Sequence, residues 1–182
     1  YKENDEANDS IRQIDVVADM LGNQLDMRVG RFTSMESSDE RQQIRKTFAE
    51  GRQLQALVAI KCLDEGVNIP SIKTAFILAS STNPKEYIQR RGRVLRKFPG
   101  KEYAEIYDFI TLPFTMESFL SQRSDVVAST KGLIVRELRR MMDFASIADN
   151  PSETSELIYK LKHAFNITEQ DLQNMEVEED AI

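Results

Sequence analysis

Short, uninterrupted apolar runs of strand length constrain the fold of this 182-residue chain more than any other feature. Three of them are "ALVAI", which starts at Ala56, "TAFILAS", which starts at Thr74, and "YAEIYDFITL", which starts at Tyr103. Such runs are typical of strands that are buried on both faces of a parallel sheet. Helical patterns alternate with strand patterns in this half of the chain, which indicates an α/β layered sheet.

Two amphipathic helices and a further strand are predicted before these runs. "SIRQIDVVADMLGN" carries apolar residues at i, i+3, i+6, i+7 and i+10, and "DMRVGRF" is a short strand candidate. "SSDERQQIRKTFAEG" places Ser37 and Glu40 at the spacing of a capping box and ends on Gly51. Ile44 and Phe48 of this segment are expected to face the core.

The pattern changes at Pro113, after which only helical periodicity continues. The last segment, "TEQDLQNMEVEEDAI", is acidic and is expected to be a solvated tail. The sequence therefore predicts an α/β domain over residues 1–113 and a helical C-terminal extension over residues 114–182. A doubly wound domain normally begins with a strand, so we expect its first strand to be truncated at Tyr1 and the chain to be a piece of a longer protein.

Charge and composition exclude several classes of protein. The net charge is −6, so overall charge does not draw the chain to DNA or to anionic membranes. Any contact with nucleic acid must be local, through a few placed cations, hydroxyls and backbone amides. One cysteine, Cys62, and one histidine, His163, can build neither a disulfide framework nor a zinc cluster. We expect a cytoplasmic protein with no metal and no membrane partner.

The densest cluster of cations lies in "EYIQRRGRVLRK". Asn83 followed by Pro84 predicts that a helix begins just before this segment. At 100° per residue, one narrow polar stripe holds Gln89, Arg93 and Arg96. The cluster alone leaves three interpretations open: a solvated basic face, a patch for a nucleic-acid backbone, or cations that bind a polyphosphate.

The remaining residues of this helix are expected to have other roles. The opposite face is apolar and should pack on the core through Tyr87, Ile88, Val94 and Leu95. Arg90 and Lys97 flank the polar stripe, and Arg91 points into the apolar side, where it needs a structural partner. Gly92 costs about 1 kcal/mol relative to alanine in a helix, which is explained if something large approaches that face.

A second motif, "AIKCLDEGVNIP", follows directly on the strand "ALVAI", where open α/β sheets bind ligands. Alone it also fits a routine turn in which Gly66 supplies positive φ. "DEGVNIP", a strand and then "QRRGRVLR" resemble motifs V and VI of the second RecA-like domain of superfamily 2 helicases and translocases. "SSDERQQIRKTFAEG" is similar to the segment between that family's motifs IV and V, so the resemblance covers residues 10–113. "GKEYAEIYDFITLP" is most similar to restriction-type and repair-type DNA translocases.

The resemblance implies a RecA-like parallel sheet flanked by helices and an ATP site between two such domains. Arg93 and Arg96 match the two motif VI arginines, whose implied role is that of arginine fingers. Gln89 matches the glutamine that positions the γ-phosphate or the attacking water. The sequence contains no phosphate-binding G-x-x-x-x-G-K-[ST] loop, so ATP with Mg²⁺ is expected to be held mainly by an N-terminal RecA-like domain of the same polypeptide.

Motif V carries the other implied nucleotide contacts. Gly66 matches the motif's glycine, and Asn68 stands where the family usually has aspartate, so it is expected to bond a ribose hydroxyl as a neutral partner. Glu65 beside them is expected to couple nucleotide to nucleic acid.

The implied nucleic-acid contacts are fewer and depart from the family in one place. Arg41 matches an arginine that contacts backbone phosphate, and Thr33 and Ser34 lie where a hydroxyl or amide can reach a phosphate. The usual Thr-Asp at the start of motif V is Ile60-Lys61, so Lys61 replaces the threonine contact or the contact is lost. The alternative for Lys61 and Arg41 is that both are ordinary surface cations.

Taken as a whole, the resemblance implies the second motor domain of an ATP-dependent helicase or translocase that acts on DNA rather than RNA. Such a chain is part of an enzyme but inactive as an ATPase alone. The alternatives are a stand-alone nucleic-acid-binding or regulatory module with a helicase-derived fold, and a generic globular domain with accidental motifs. In the extension, "KGLIVRELRRMMDFA" is either a core-packing helix with solvated arginines or a clamp on nucleic acid or on the first domain.

Overall fold

The structure, a computed structural model, describes residues 13–33, 35–59, 69–78, 84–115, 118 and 124–173. The chain divides into two compact units. The first comprises Tyr1–Phe76 and Lys85–Tyr107, and the second comprises Ile77–Pro84 and Asp108–Ile182. The predicted domains, residues 1–113 and 114–182, remain a prediction.

Strands and helices are interspersed among the described residues up to residue 108, and the described elements beyond that point are all helices. The strands are β1 (Val29–Phe32), β2 (Ala56–Ala59), β3 (Thr74–Ile77) and β4 (Glu105–Asp108). The helices are α1 (Ser38–Glu50), α2 (Pro84–Val94), α3 (Ser124–Ala145) and α4 (Pro151–Ala164). Before β1, residues 13–19 are helical and continue into a π-helical turn, Met20–Gln24.

Both strand pairs are parallel. β1 pairs with β2, with Val29 opposite Ala56 and Phe32 opposite Ala59. In the other pair, β3 and β4, the Glu105 N–H donates to the carbonyl of residue 73 and the Phe109 N–H to that of residue 77, so both strands advance together. The predicted α/β class is confirmed, although the described strands form two two-stranded sheets rather than one.

Helix α1 forms as its sequence predicts. The Ser37 side chain accepts from the Glu40 N–H, and the Glu40 carboxylate accepts from the Ser37 N–H, which completes the capping box. Gly51 ends the helix in the left-handed conformation at φ 66°, and its N–H donates to the Phe48 carbonyl. Ile44 and Phe48 pack, as predicted, against a buried cluster that also contains Phe32, Leu57, Ala59, Ile69 and Ile72.

Strands β3 and β4 are half-exposed, and the prediction that they are buried on both faces is wrong. Phe76 is 62% exposed and Tyr107 is 49% exposed, and their rings stack with centroids 4.7 Å apart. The side chains alternate between exposed and half-buried along both strands. An apolar run shows that a strand is hydrophobic but does not show whether the same chain covers its second face.

The second unit is built around an apolar cluster from α3, α4 and the segment that follows them. Its buried members are Ile134, Val135, Leu138, Met141, Leu161, Phe165, Ile167 and Leu172. The first four recur along one face of α3 at helical spacing. The predicted core-packing role of this helix is therefore confirmed.

One arginine of α3 is buried rather than solvated. Arg140 is 3% exposed, and its Nε lies 2.9 Å from Asp108 Oδ2. Its terminal nitrogens donate to the Glu137 carboxylate and to the Phe109 carbonyl, and the same carboxylate accepts from the Thr111 N–H. Burial raises the pKa of the Asp108 carboxyl despite the opposing effect of Arg140. The network ties residues 108–111 to α3.

Replacing Arg140 should strongly destabilise the fold. In Arg140→Met the Asp108 and Glu137 carboxylates stay buried without their cation, which costs about 3–5 kcal/mol. The control is Lys160→Met, because Lys160 pairs with Glu156 at 2.6 Å on an exposed helix surface, where solvent screens the pair and its loss should have little effect. Urea unfolding followed by circular dichroism measures both changes. Equal effects of the two substitutions would contradict the assigned role of the buried network.

Candidate functional site

Helix α2 presents the predicted arginine stripe from a packed face. Tyr87 and Val94 are buried, and their spacing of seven residues places them on one side of the helix, two turns apart. Gln89 is exposed and Arg93 is half-buried. Arg96 is also exposed, two residues beyond the last helical residue. Gln89 and Arg93 are thus held by the helix, and Arg96 by the segment that leaves it.

The apolar face of α2 is narrower than the helical projection predicts. Ile88 and Leu95 are exposed, so the expectation that both pack on the core is wrong. Leu95 lies just past the helix, where its N–H still donates to the Arg91 carbonyl at 3.0 Å. Of the four apolar positions, Tyr87 and Val94 are buried. Two buried side chains two turns apart are enough to hold a helix of three turns.

The arginines of α2 all have partners within the chain. Arg90 lies 3.3 Å from Glu86 one turn earlier, and its side chain is largely buried. Arg91 is half-buried and has a partner, as the sequence predicts. Arg93 and Arg96 are also engaged. A ligand at this face must therefore compete with these interactions or add to them.

Gly92 leaves open space on α2. Among the described residues, no heavy atom lies within 4 Å of the position that a Cβ would occupy there. The packing of the described residues therefore does not require a glycine at this position. The observation fits the expectation that something outside the chain approaches this face.

A second group of predicted residues meets at the turn between β1 and α1. Thr33 donates its N–H and its hydroxyl to Glu36 Oε2, at 2.6 and 2.8 Å. Arg41 donates its Nε–H to the Glu36 carbonyl at 2.9 Å. Sequence reasoning missed Glu36. The signal for it is the spacing of Thr33 and Glu36, which suits a local side-chain-to-backbone hydrogen bond.

Several predicted residues lie outside the described part of the chain. They are Ser34, Lys61, Glu65, Gly66 and Asn68, together with the predicted helix cap Asn83. Ile69, near the end of the segment that resembles motif V, is described and is buried in the core of the first unit.

The described part of the chain contains neither a candidate metal site nor a candidate membrane span. Among the described residues, no three His, Cys, Asp or Glu side chains lie together in a way that could hold a metal ion. No helix in that part of the chain combines the length and the apolar character needed to cross a bilayer.

The helicase conserved C-terminal domain family matches residues 7–98, which is half of the chain and includes both α1 and the arginine helix α2. The chain belongs to this family. The match covers the segments that resemble motifs V and VI of superfamily 2 helicases and translocases. The family therefore places Gln89, Arg93 and Arg96 in a helicase C-terminal domain.

One curated relative and two solved structures are similar to parts of the chain. The "DNA 3′-5′ translocase XPB2" of Sulfurisphaera tokodaii is 34% identical over 65 residues, 36% of this chain and 15% of the relative's length. The C-terminal part of the Fun30 ATPase domain is 22% identical over 61% of this chain and 36% of that structure's chain, with a TM-score of 0.48. Mss116p bound to single-stranded RNA and AMP-PNP is 15% identical over 95% of this chain and 40% of the other, with a TM-score of 0.46. Both TM-scores lie below 0.5, and the family assignment does not depend on them.

Gly92→Ala should have opposite effects on stability and activity. The added methyl meets no described atom, so alanine should stabilise the isolated chain by about 0.5–1 kcal/mol through helix propensity. If a ligand or a partner domain approaches this face in the full-length protein, the same methyl obstructs it, and the nucleic-acid-stimulated ATP hydrolysis expected of a helicase should fall. Denaturant unfolding of the chain and steady-state ATPase rates check the two effects.

The matched control is Gly132→Ala in α3. A Cβ at Gly132 meets Arg136 at 3.7 Å, an ordinary contact, so this variant should gain helix propensity and keep its ATPase rate. If Gly92→Ala retains the ATPase rate as fully as Gly132→Ala, the face around Gly92 is not approached by a ligand or a partner domain.

Proposed function

We propose that this helicase C-terminal domain is the second motor domain of an ATP-dependent nucleic-acid translocase and supplies the arginine fingers of its ATP site. One observation carries the proposal: α2 is anchored by Tyr87 and Val94, while Gln89 and Arg93 lie on a face left open at Gly92. A cation held on a rigid element beside open space suits a ligand that arrives from another domain. The family match spans the segment that resembles motif VI, which supports a nucleotide as that ligand.

The proposed chemistry is charge stabilisation during phosphoryl transfer. Arg93 and Arg96 carry planar guanidinium groups that stay protonated and can donate two parallel hydrogen bonds to phosphate oxygens. As the γ-phosphate leaves, negative charge spreads over its oxygens, and an arginine supplied from a second domain increases the rate roughly 10³- to 10⁵-fold. Gln89, exposed one turn before Arg93, is placed to orient the γ-phosphate or the attacking water.

ATP with Mg²⁺ is the cofactor that this donor set fits. The described site offers guanidinium and amide donors and no cluster of carboxylates for a metal, so its residues suit the phosphate oxygens rather than the Mg²⁺. We assign Mg²⁺ and most of the nucleotide to an N-terminal RecA-like domain. Glu65, Gly66 and Asn68 remain proposed nucleotide contacts of this chain.

We further propose that the partner is DNA. The support is the similarity to a relative that is named as a DNA translocase, although the match spans only 15% of that relative's length. Arg41 is the better candidate for a phosphate contact, because a guanidinium is permanently charged. The Thr33 hydroxyl donates to Glu36 and must exchange that acceptor before it can bind phosphate. Ser34 and Lys61 remain proposed contacts, and a reducing, cytoplasmic location remains a proposal based on the single cysteine.

Replacing Arg96 in the full-length protein tests the finger assignment. Arg96→Ala should lower the turnover number for nucleic-acid-stimulated ATP hydrolysis about 10³-fold, because the transition-state charge loses its counter-charge. Lys97→Ala is the matched control: it removes one exposed cation from the neighbouring position and should leave the rate within about twofold of wild type, as surface substitutions usually have small effects. Retention of most activity in Arg96→Ala would show that Arg96 is not a finger.

ATPase and DNA-binding measurements on the isolated chain distinguish the second half of a motor from a stand-alone binding module. As a motor half, the chain should hydrolyse no ATP and bind labelled DNA weakly, while the full-length protein binds tightly and in a nucleotide-dependent way. Fluorescence anisotropy at 50 and 200 mM salt measures the binding and its electrostatic contribution. Tight, strongly salt-dependent binding by the chain alone, unchanged in the full-length protein, would favour the binding module.

A further inference from the structure

Lys101 makes a set of contacts that neither motif explains. Its ammonium donates to three backbone carbonyl groups: that of Val94, that of Arg96 at 3.1 Å and that of Pro70 at 3.3 Å. A lysine ammonium has three N–H donors, so these carbonyls account for all of them. Such a complete set is unusual for lysine, which mostly stays solvated at the surface.

Two of the three carbonyls belong to the end of the arginine helix. Val94 is the last residue of α2, and the final carbonyls of a helix have no partner within it. A cation at this end also interacts favourably with the helix dipole. Lys101 thus caps α2 immediately after Arg93 and holds the carbonyl of Arg96 itself.

The third carbonyl belongs to Pro70, the last residue of the segment that resembles motif V. Pro70 comes two residues after Asn68, and Ile69 between them is buried in the core. The Lys101 contact is therefore a second attachment of this segment, and it is made to the same side chain that caps α2. One ammonium joins the end of this segment to the part of the chain that carries Arg93 and Arg96.

A tight turn delivers Lys101 to this position. Phe98 and Lys101 form an antiparallel bridge, and the Lys101 N–H donates to the Phe98 carbonyl at 3.0 Å. Pro99 and Gly100 hold the two central positions, with Gly100 at φ 73°, as a type II turn prefers. The ammonium of Lys101 is partly removed from water, and this burial lowers its pKa. A hydrogen bond from an ammonium to a carbonyl is stronger away from water than in it.

We infer that Lys101 is a positioning residue of the ATP site, which fixes the end of α2 against Pro70 at the end of the motif V segment and so sets where Arg93 and Arg96 lie. The inference rests on the proposed role of the two arginines. Misplacing a catalytic group by about 1 Å costs on the order of 10²-fold in rate. Lys101 itself touches no nucleotide in this arrangement, so its effect is on the arginines.

The test compares three variants of the full-length protein in nucleic-acid-stimulated ATPase assays. Lys101→Met should lower kcat about 10- to 100-fold and change KM for ATP less than about threefold, because fingers act on the transition state and ATP is held mainly by the first domain. Lys101→Arg keeps the charge in a planar group and should recover part of the rate. Lys73→Met, which removes an exposed lysine, should match wild type.

A stability control separates positioning from loss of folding. Ile44→Val removes one methylene from the core of the same unit, which costs about 0.5–1.5 kcal/mol, without touching Lys101. It should lower the midpoint of thermal unfolding and leave kcat unchanged. The inference is overturned if Lys101→Met loses no more kcat than Ile44→Val at equal stability. It is also overturned if Lys101→Met keeps the wild-type kcat while Arg96→Ala does not, and in that case the finger assignment stands. Absence of nucleic-acid-stimulated hydrolysis in the wild type would instead overturn the proposed function.

Discussion

The burial of Tyr87 and Val94 sets the geometry on which the candidate site depends. These two side chains lie on one face of α2 and fix the rotation of the helix about its axis. Once that rotation is fixed, Gln89 lies on the exposed side of the helix and Arg93 stays half-buried. The capping contacts of Lys101 then hold the point at which the chain leaves the helix towards Arg96. Apolar packing thus sets the orientation of the helix, and the hydrogen bonds of a charged side chain then fix the position of its end.

The same residue type serves opposite purposes in the two units. Arg140 is enclosed by Asp108 and Glu137 and holds together a fold, whereas Arg93 and Arg96 stand on or just beyond a helix that displays them. In a chain with a net charge of −6, the basic residues act through their placement rather than their number. The proposed finger role accounts for the displayed pair, since an arginine finger must reach a nucleotide held mostly by another domain.

Local features were predictable and long-range ones were not. The capping box of Ser37 and Glu40 and the left-handed Gly51 depend on neighbouring residues, so the sequence pattern is enough to predict them. The exposure of Phe76 and Tyr107 depends on which element covers the sheet, and an apolar run carries no such information. Asp108 and Phe109 lie 32 and 31 positions from their partner Arg140, so spacing along the chain could not reveal these contacts. The same holds for Pro70, which lies 31 positions from Lys101.

In the candidate site, too, the local features were predictable from the sequence and the features that depend on distant contacts were not. Gln89 and Arg93 were predictable as neighbours because they are one turn apart on one helix, whereas Arg96 lies beyond the end of that helix, which the projection did not predict. Glu36 was missed because its role comes from accepting two hydrogen bonds from Thr33, which requires the turn between β1 and α1 to be known. The inward packing of Ile88 and Leu95 was wrong because a helical projection assigns a direction to each side chain but no neighbour.

The most direct measurement is a structure of the full-length protein bound to DNA and to ADP with aluminium fluoride, which mimics the transferring phosphoryl group. The central claim is that this chain forms the second wall of an ATP site. We predict that the guanidinium groups of Arg93 and Arg96 lie within hydrogen-bond distance of the fluoride, with Gln89 beside the attacking water. Both guanidinium groups remaining on protein partners, with no contact to the nucleotide, would contradict the claim.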